Sequence, residues 1–295
     1  MNNIQKDKTT IEDYFVVSNN IYQNLLGYKP EQTALISLDK LKWRQFCKKW
    51  ALNEYSDGVY LPRNQTAVIQ KEIETASLGL FHEYFGHGLF CEQSLQGKRL
   101  VNLERKLLEK EKKCLGRQFN LRDIEKFRRQ NILFKELNKL KEENLGLYEN
   151  FAIFSEFILS KDMGLQEIFE KKYDKLYKED KNQIDKIISF NKEYGALSTF
   201  YSFGLARKTD VKRINQLLND IYKNKLADIK LAVLYGSKKP FSDIDIFMVS
   251  NNLNEINSSW LDIRIYSEKE FENGIEMFDI SITDPVLSGE FVLGG

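Results

Sequence analysis

His82 and His87, in the stretch LFHEYFGHGLF (80–90), are the only two histidines in the 295-residue chain. They stand five positions apart within 71–95, where apolar residues recur at helical spacing and predict a helix. On a regular α-helix a five-residue step is a rotation of about 500°, so the imidazoles would point about 140° apart. They can share one site only if the helix widens locally, as a π-turn with i→i+5 hydrogen bonds does. Gly86, directly before His87, has no side chain to crowd such a turn. The spacing therefore predicts a helix that is locally widened at 82–87, with converging rings.

Glu83 directly follows His82. Imidazole and carboxylate are donor types that zinc takes, and a catalytic zinc site uses three protein ligands with one position left for water. The third ligand is expected from another helix. Glu149, in LYENFAIFSE (147–156), is the candidate, with Glu156 further along the same face. A carboxylate at the start of so apolar a run is costly unless paired, and a cation removes that cost. The competing reading is a residue near a helix N-terminus, favoured by the dipole. Cys91 reads as core packing rather than as a thiolate ligand. Tyr194 and Tyr201 are candidate donors to an oxyanion, against a competing reading as core tyrosines.

The pattern H-E-x-x-G-H with a downstream glutamate resembles dipeptidyl peptidase III, a zinc peptidase family whose histidines are also five apart. YENFA is similar to the E-G-F-A segment of several gluzincin peptidases, with Asn150 where those families often carry glycine. The likeness covers short segments within about residues 57–160, and the second acidic motif of dipeptidyl peptidase III is not matched in full. It implies Zn²⁺ bound by His82, His87 and Glu149, with Glu83 as general base and a peptide or protein as substrate. The likeness extends to the site and does not name the peptide.

Along the rest of the chain, 10–55 reads as helices, with Tyr14, Ile21, Leu25, Leu38, Leu41 and Phe46 at roughly helical spacing. Residues 57–70 read as extended. The highly charged stretch 98–145, with leucines at three- and four-residue steps, predicts two or three long amphipathic helices broken near Gly116 and Asn120. They read as a solvated arm or as a basic strip that grips a partner; an oligomer would form through them. The more apolar 145–164 predicts a central helix. Near 209 the texture changes: a helix at 209–227, three β-rich runs, then another helix predict a small α/β domain.

That last region holds a second constellation. VLYGSKKPFSDIDIFMV (233–249) reads as a strand, a Gly-Ser turn and a strand carrying Asp243 and Asp245 on one face. Paired carboxylates suit Mg²⁺ and substrate phosphates, and Asp262 in WLDIRIYS offers a third; the competing reading is exposed aspartates on an edge strand. The run h-G-S, D-h-D and a later Asp resembles the DNA polymerase β-type nucleotidyltransferases, above all their minimal domains, over nearly all of 209–295. It implies that Gly236 and Ser237 hold nucleoside triphosphate phosphates, that Asp243 and Asp245 bind metal, and that Asp262 activates the attacking hydroxyl. Only KKPFS separates Ser237 from Asp243, about half the family's usual spacing. The missing residues normally form a helix whose N-terminus holds the triphosphate; Lys238 and Lys239 are expected to compensate in part.

The expected fold is α+β: a mostly helical, zincin-like domain over 1–207 and a small α/β nucleotidyltransferase-like domain over 208–295. Lys plus Arg (44) nearly balance Asp plus Glu (43), so no global field attracts nucleic acid and only local patches could. No apolar run approaches the roughly 18 residues of a membrane span. The opening residues lack the apolar core of a signal peptide, and three scattered cysteines suit a reducing cytoplasm. The leading expectation is zinc-dependent peptide-bond hydrolysis, with the second domain regulatory or separately catalytic. The alternatives are a nucleotidyltransferase acting on a protein, RNA or small molecule with a structural zinc domain, and a non-catalytic, antitoxin-like regulator.

Overall fold

The computed structural model describes residues 10–115, 131–176 and 178–294. The break expected near Gly116 and Asn120 lies outside the described residues. The chain is α+β and divides into two compact units. One comprises the described residues of Met1–Asn24 and Tyr28–Lys186, the other those of Leu25–Gly27 and Ile187–Gly295. The division thus falls after Lys186, ahead of the change of texture near 209. No described helix is long and apolar enough to cross a membrane.

α1 (Ile11–Leu26) lies in the first unit up to Asn24, and is followed there by β1 (Ala34–Leu38) and α2 (Lys40–Trp50). The strand corrects the all-helical reading of 10–55. A five-residue apolar run such as ALISL fits a helix or a strand equally well by spacing, and pairing decides it. β1 lies parallel to β3 (Thr66–Gln70), and β2 (Gly58–Leu61) lies antiparallel to β3 on its other side. A short 3₁₀ turn, Pro62–Asn64, splits the expected extended segment 57–70 into those last two strands. The central β3 is buried along its whole length. One side of the sheet packs on Trp43 and Cys47 of α2, and the α2 N-terminus is capped by Asp39, which accepts from the Lys42 N–H.

The helix expected over 71–95 starts later, at α3 (Ala76–Leu80). It runs on as a π-helical stretch, Phe81–Gly88, and resumes as α4 (Leu89–Gln93). From α4 the buried Glu92 accepts from the N–H groups of Glu31, Gln32 and Thr33 at 2.7–3.0 Å and from the Thr33 hydroxyl. A carboxylate in a cup of backbone donors fixes the entry to β1. Next come α5 (Leu95–Leu115), α6 (Ile132–Asp162) and α7 (Gln166–Tyr173). Phe81, Phe85, Leu89 and Phe90 of the π segment and α4, with Phe151 and Phe154 of α6, are at most 1% exposed and form the unit's core. The apolar half of α6 is thus central, as its composition predicts.

α8 (Lys178–Ser202) is broken at Gly195, whose φ of 83° interrupts the helix. In the second unit, α9 (Val211–Tyr222) starts at Asp210, whose carboxylate accepts from the Arg213 N–H. A five-stranded mixed sheet follows in the order β6-β7-β5-β4-β8, with β4 (Leu231–Tyr235), β5 (Ile244–Val249), β6 (Ile256–Asn257), β7 (Leu261–Tyr266) and β8 (Glu290–Leu293). β5 and β7 are parallel; the other neighbours are antiparallel. α10 (Glu268–Glu276), opened by a Ser267–Glu270 capping box, and α11 (Ile280–Ser288) precede β8. Val233, Phe247, Val249 and Ile282 form the buried centre of this sheet and helix layer.

Candidate metal centre

The π-helical stretch widens the turn between His82 and His87, so a five-residue step returns close to the same face. The two imidazole centroids are 4.6 Å apart with ring planes at 88°. Opposite them runs α6, brought close because Gly86 faces Ala152: a Cβ on Gly86 would lie 2.7 Å from Ala152 Cα. The glycine that the sequence offers as relief for the wide turn is thus required by helix packing.

Glu149, one turn ahead of Ala152, reaches both rings. Its Oε2 is 3.5 Å from His82 Nε2 and its Oε1 is 3.7 Å from His87 Nε2. Zinc bonds of about 2.0–2.1 Å at tetrahedral angles put two ligand atoms about 3.3 Å apart, so both separations are within a few tenths of an ångström of that edge. Among the described residues, His82, His87 and Glu149 are the group whose donor atoms all lie within 4.8 Å of one another. Two imidazole nitrogens and one carboxylate oxygen fit zinc in number and kind.

The two imidazoles are held differently. His82 Nδ1 meets Glu156 Oε1 at 2.5 Å, which leaves Nε2 toward Glu149. Glu149 and Glu156 are seven residues apart on α6, so they share a face two turns apart and bracket the ring from opposite sides. Glu156 in turn accepts from Lys172 of α7 at 3.0 and 3.2 Å. Lys172 also pairs with Asp57 at 3.3 Å, and Asp57 accepts from Thr75 Oγ1 at 2.7 Å. His87 Nδ1 is buried with no hydrogen-bond partner among the described residues. Its ring is clamped instead by Tyr148, stacked at 3.8 Å and 12°.

The charges interlock. Burial opposes charge on His82, but Glu156, with Glu149 and Glu83, outweighs it and raises the pKa to about 10. Burial would raise the Glu156 carboxyl, yet Lys172 and His82 together hold it below its ordinary value. Burial, aided by His82 and Lys172, pushes His87 well below 6.5, which keeps its imidazole neutral. Glu83 is lifted by burial, with Glu149 and Glu156 adding to the effect against His82 and Lys172, to about 7. A carboxylate poised near neutrality beside the ligand set has the proton affinity of a general base.

Comparison with family models, curated proteins and solved structures finds no match. The geometry alone carries the reading of the site. Sequence reasoning places Glu156 on the correct face but as a second-choice ligand; it is instead the partner of His82. It misses Tyr148, whose one available signal is its position directly before Glu149. It misses Lys172 and Asp57 because no local pattern links residues on separate elements. Tyr194 and Tyr201 fall in the second unit, where the Tyr201 hydroxyl is 3.3 Å from the Lys208 carbonyl oxygen.

Lys172→Met keeps the aliphatic stem and removes the cation between Glu156 and Asp57. Zinc affinity is expected to fall about 10- to 100-fold, the usual effect of losing a partner behind a ligand. Titration against a competing chelator measures this, and an unchanged affinity would remove Lys172 from the support of His82.

In the second unit, Asp245 of β5 sits in register beside Asp262 of β7 and opposite Tyr235 of β4, with Asp243 directly before β5. Ile244 and Ile246 are buried, as the alternation predicts. Gly236 has φ +74°, and a Cβ there would overlap the Asp245 carboxylate. Burial, with Asp243 and Asp262, raises the Asp245 carboxyl. The sequence thus brings Gly236, Asp243, Asp245 and Asp262 together. Ser237 Oγ accepts from Ser242 Oγ at 3.0 Å. Lys238 pairs with Glu290 at 2.7 Å, and Arg264 pairs with Asp262 at 3.2 Å. No helix forms between Ser237 and Asp243.

Proposed function

We propose that the chain is a zinc-dependent hydrolase of peptide bonds. The observation that supports this most strongly is the gathering of donor atoms of His82, His87 and Glu149 within 4.8 Å of one another, with Glu83 next to His82 in the sequence. Zinc held there would supply Lewis acidity toward a carbonyl oxygen and would lower the pKa of a water. Glu83 takes a proton from the attacking water and delivers it to the amine nitrogen as the C–N bond breaks. Glu156 fixes the tautomer and orientation of His82, and Tyr148 fixes the plane of His87. The buried free thiols of Cys47 and Cys91 suit a reducing compartment, in keeping with a cytoplasmic protein.

Protein purified without chelator is expected to contain one zinc per chain by elemental analysis and to cut peptides in an unbiased mixture. His82→Ala is expected to lose both the zinc and the cutting. Metal-free protein that takes up no zinc on titration would sink the reading.

A second reading applies to the second unit alone. The side-by-side Asp245 and Asp262, with a raised Asp245 carboxyl, form a place where a divalent cation would relieve like-charge repulsion. With a nucleoside triphosphate on Gly236 and Ser237, such a site would move a nucleotidyl group to a protein, RNA or small molecule. Incubation with Mg²⁺ and labelled nucleoside triphosphates should then label an acceptor, and Asp243→Asn with Asp245→Asn should abolish it. Labelling that survives the double substitution excludes this site; no labelling leaves the unit a docking or regulatory part of the hydrolase.

A further inference from the structure

Beside the metal centre, within the first unit, lies a cavity of about 240 Å³ that the hydrolytic chemistry does not use. It is a trough between α5 and α6, floored by Tyr60 at the end of β2. Its walls are Phe90, Leu100, Leu140 and Tyr148, and Leu145 stands on its rim. Tyr60, Phe90, Leu100 and Leu140 are each at most 9% exposed, whereas Leu145 is 58% exposed. An exposed leucine on the lip of an apolar trough is surface that an occupant would cover.

The trough abuts the candidate ligands through two of its lining rings. Tyr148 lines it and stacks on His87. Tyr60 also lines it, with its ring 6.4 Å from the His87 ring. At about 1.5 Å per residue along α6, the trough's midpoint near residue 144 is roughly 7 Å from Glu149. That is about the reach of one side chain from a neighbouring backbone position, given about 3.8 Å between consecutive Cα atoms.

Size narrows the occupant. A cavity of about 150 Å³ holds a benzene ring, and pockets for whole small ligands begin near 300 Å³. The trough thus takes one bulky apolar side chain rather than a complete small molecule. Its one charged lining residue among the described residues, Lys141, is already paired with Glu104 at 2.6 Å, so charge does not select the occupant.

We propose that this trough is the specificity pocket of the site and that it takes an aromatic or large aliphatic side chain next to the scissile bond. The proposal rests on the peptidase reading for the words "scissile bond", but the pocket itself can be tested without zinc. N-acetyl-phenylalaninamide and N-acetyl-alaninamide would be offered to the metal-stripped full chain and followed by saturation-transfer NMR. The phenylalanine probe is expected to bind and the alanine probe to give no signal. Leu145→Asp, on the exposed rim where folding is not at stake, should weaken the phenylalanine probe about tenfold. Leu140→Trp, which fills the trough, should abolish its signal, with melting curves showing that the variant is folded.

Equal signals from both probes, or a phenylalanine signal indifferent to Leu145→Asp, overturn the pocket. A second measurement separates the two readings: the zinc-loaded protein is given a peptide mixture and its cut sites are sequenced. Cuts beside bulky apolar residues, moved toward small residues by Leu140→Trp, support the pocket as a determinant of specificity. Cutting with no side-chain preference overturns the pocket and leaves the peptidase standing. Selective probe binding without any cutting overturns the peptidase and leaves an apolar ligand site.

Discussion

Glu83→Gln should leave zinc bound at one per chain and reduce hydrolysis by about 10²- to 10⁴-fold, the span typical of losing a general base. Glutamine keeps the shape of the side chain and cannot take a proton from water. Zinc should stay, because the donor atoms that converge belong to His82, His87 and Glu149. The pH dependence has a definite sign. Glu83 works as a base only when ionised, and burial raises its pKa to about 7, so hydrolysis should fall as pH drops through that region. A bound cation favours the carboxylate and moves this limb to lower pH. In Glu83→Gln the residual rate should lose the limb. The metal-free proteins should differ in stability with the opposite trend. A carboxyl raised in the fold from 4.5 to about 7 makes the native state more stable below 4.5 and progressively less stable as pH rises to 7. The glutamine variant should lack that decline. Loss of zinc from Glu83→Gln would show Glu83 to be a ligand or a structural support, and the proposed division of labour would fall.

How much of this site the sequence discloses depends on how local each relation is. The widened helix is legible because two histidines and a glycine state it within one turn. Glu149 is legible because a carboxylate stands out at the edge of an apolar run. Asp243, Asp245 and Gly236 are legible because they fall within ten residues of one strand-turn-strand. The strand Ala34–Leu38 is not: its identity comes from pairing with Thr66–Gln70, about thirty residues away, and propensity in a short apolar run yields to such pairing. The link from Lys172 to Glu156 and Asp57 joins three separate segments of the chain, and Lys172 and Asp57 alone read as ordinary surface charges. The trough beside Tyr148 needs α5 and α6 to lie side by side, which no spacing along either helix specifies.

Gly86→Ala tests the closest of those long-range relations. The added methyl would sit 2.7 Å from Ala152 Cα and 2.8 Å from Ala152 Cβ, whereas carbon atoms prefer about 3.5–4.0 Å. Relief requires α6 to retreat by roughly 1 Å, and Glu149 lies on the adjoining turn of that helix. Ligand distances tolerate only about 0.2 Å, so the shift should both loosen the fold and open the ligand set. Destabilisation of about 1–3 kcal/mol is expected from overpacking, with zinc affinity reduced at least tenfold. Gly146→Ala is the matched control on the same helix, where a Cβ would meet nothing within 4 Å among the described residues. There alanine should stabilise by about 0.5–1 kcal/mol through helix propensity and leave zinc affinity unchanged. Thermal melting with and without zinc distinguishes the two substitutions. If Gly86→Ala instead behaves like Gly146→Ala, the helices do not meet at Ala152, and the wide turn at 82–87 owes its glycine to backbone freedom alone.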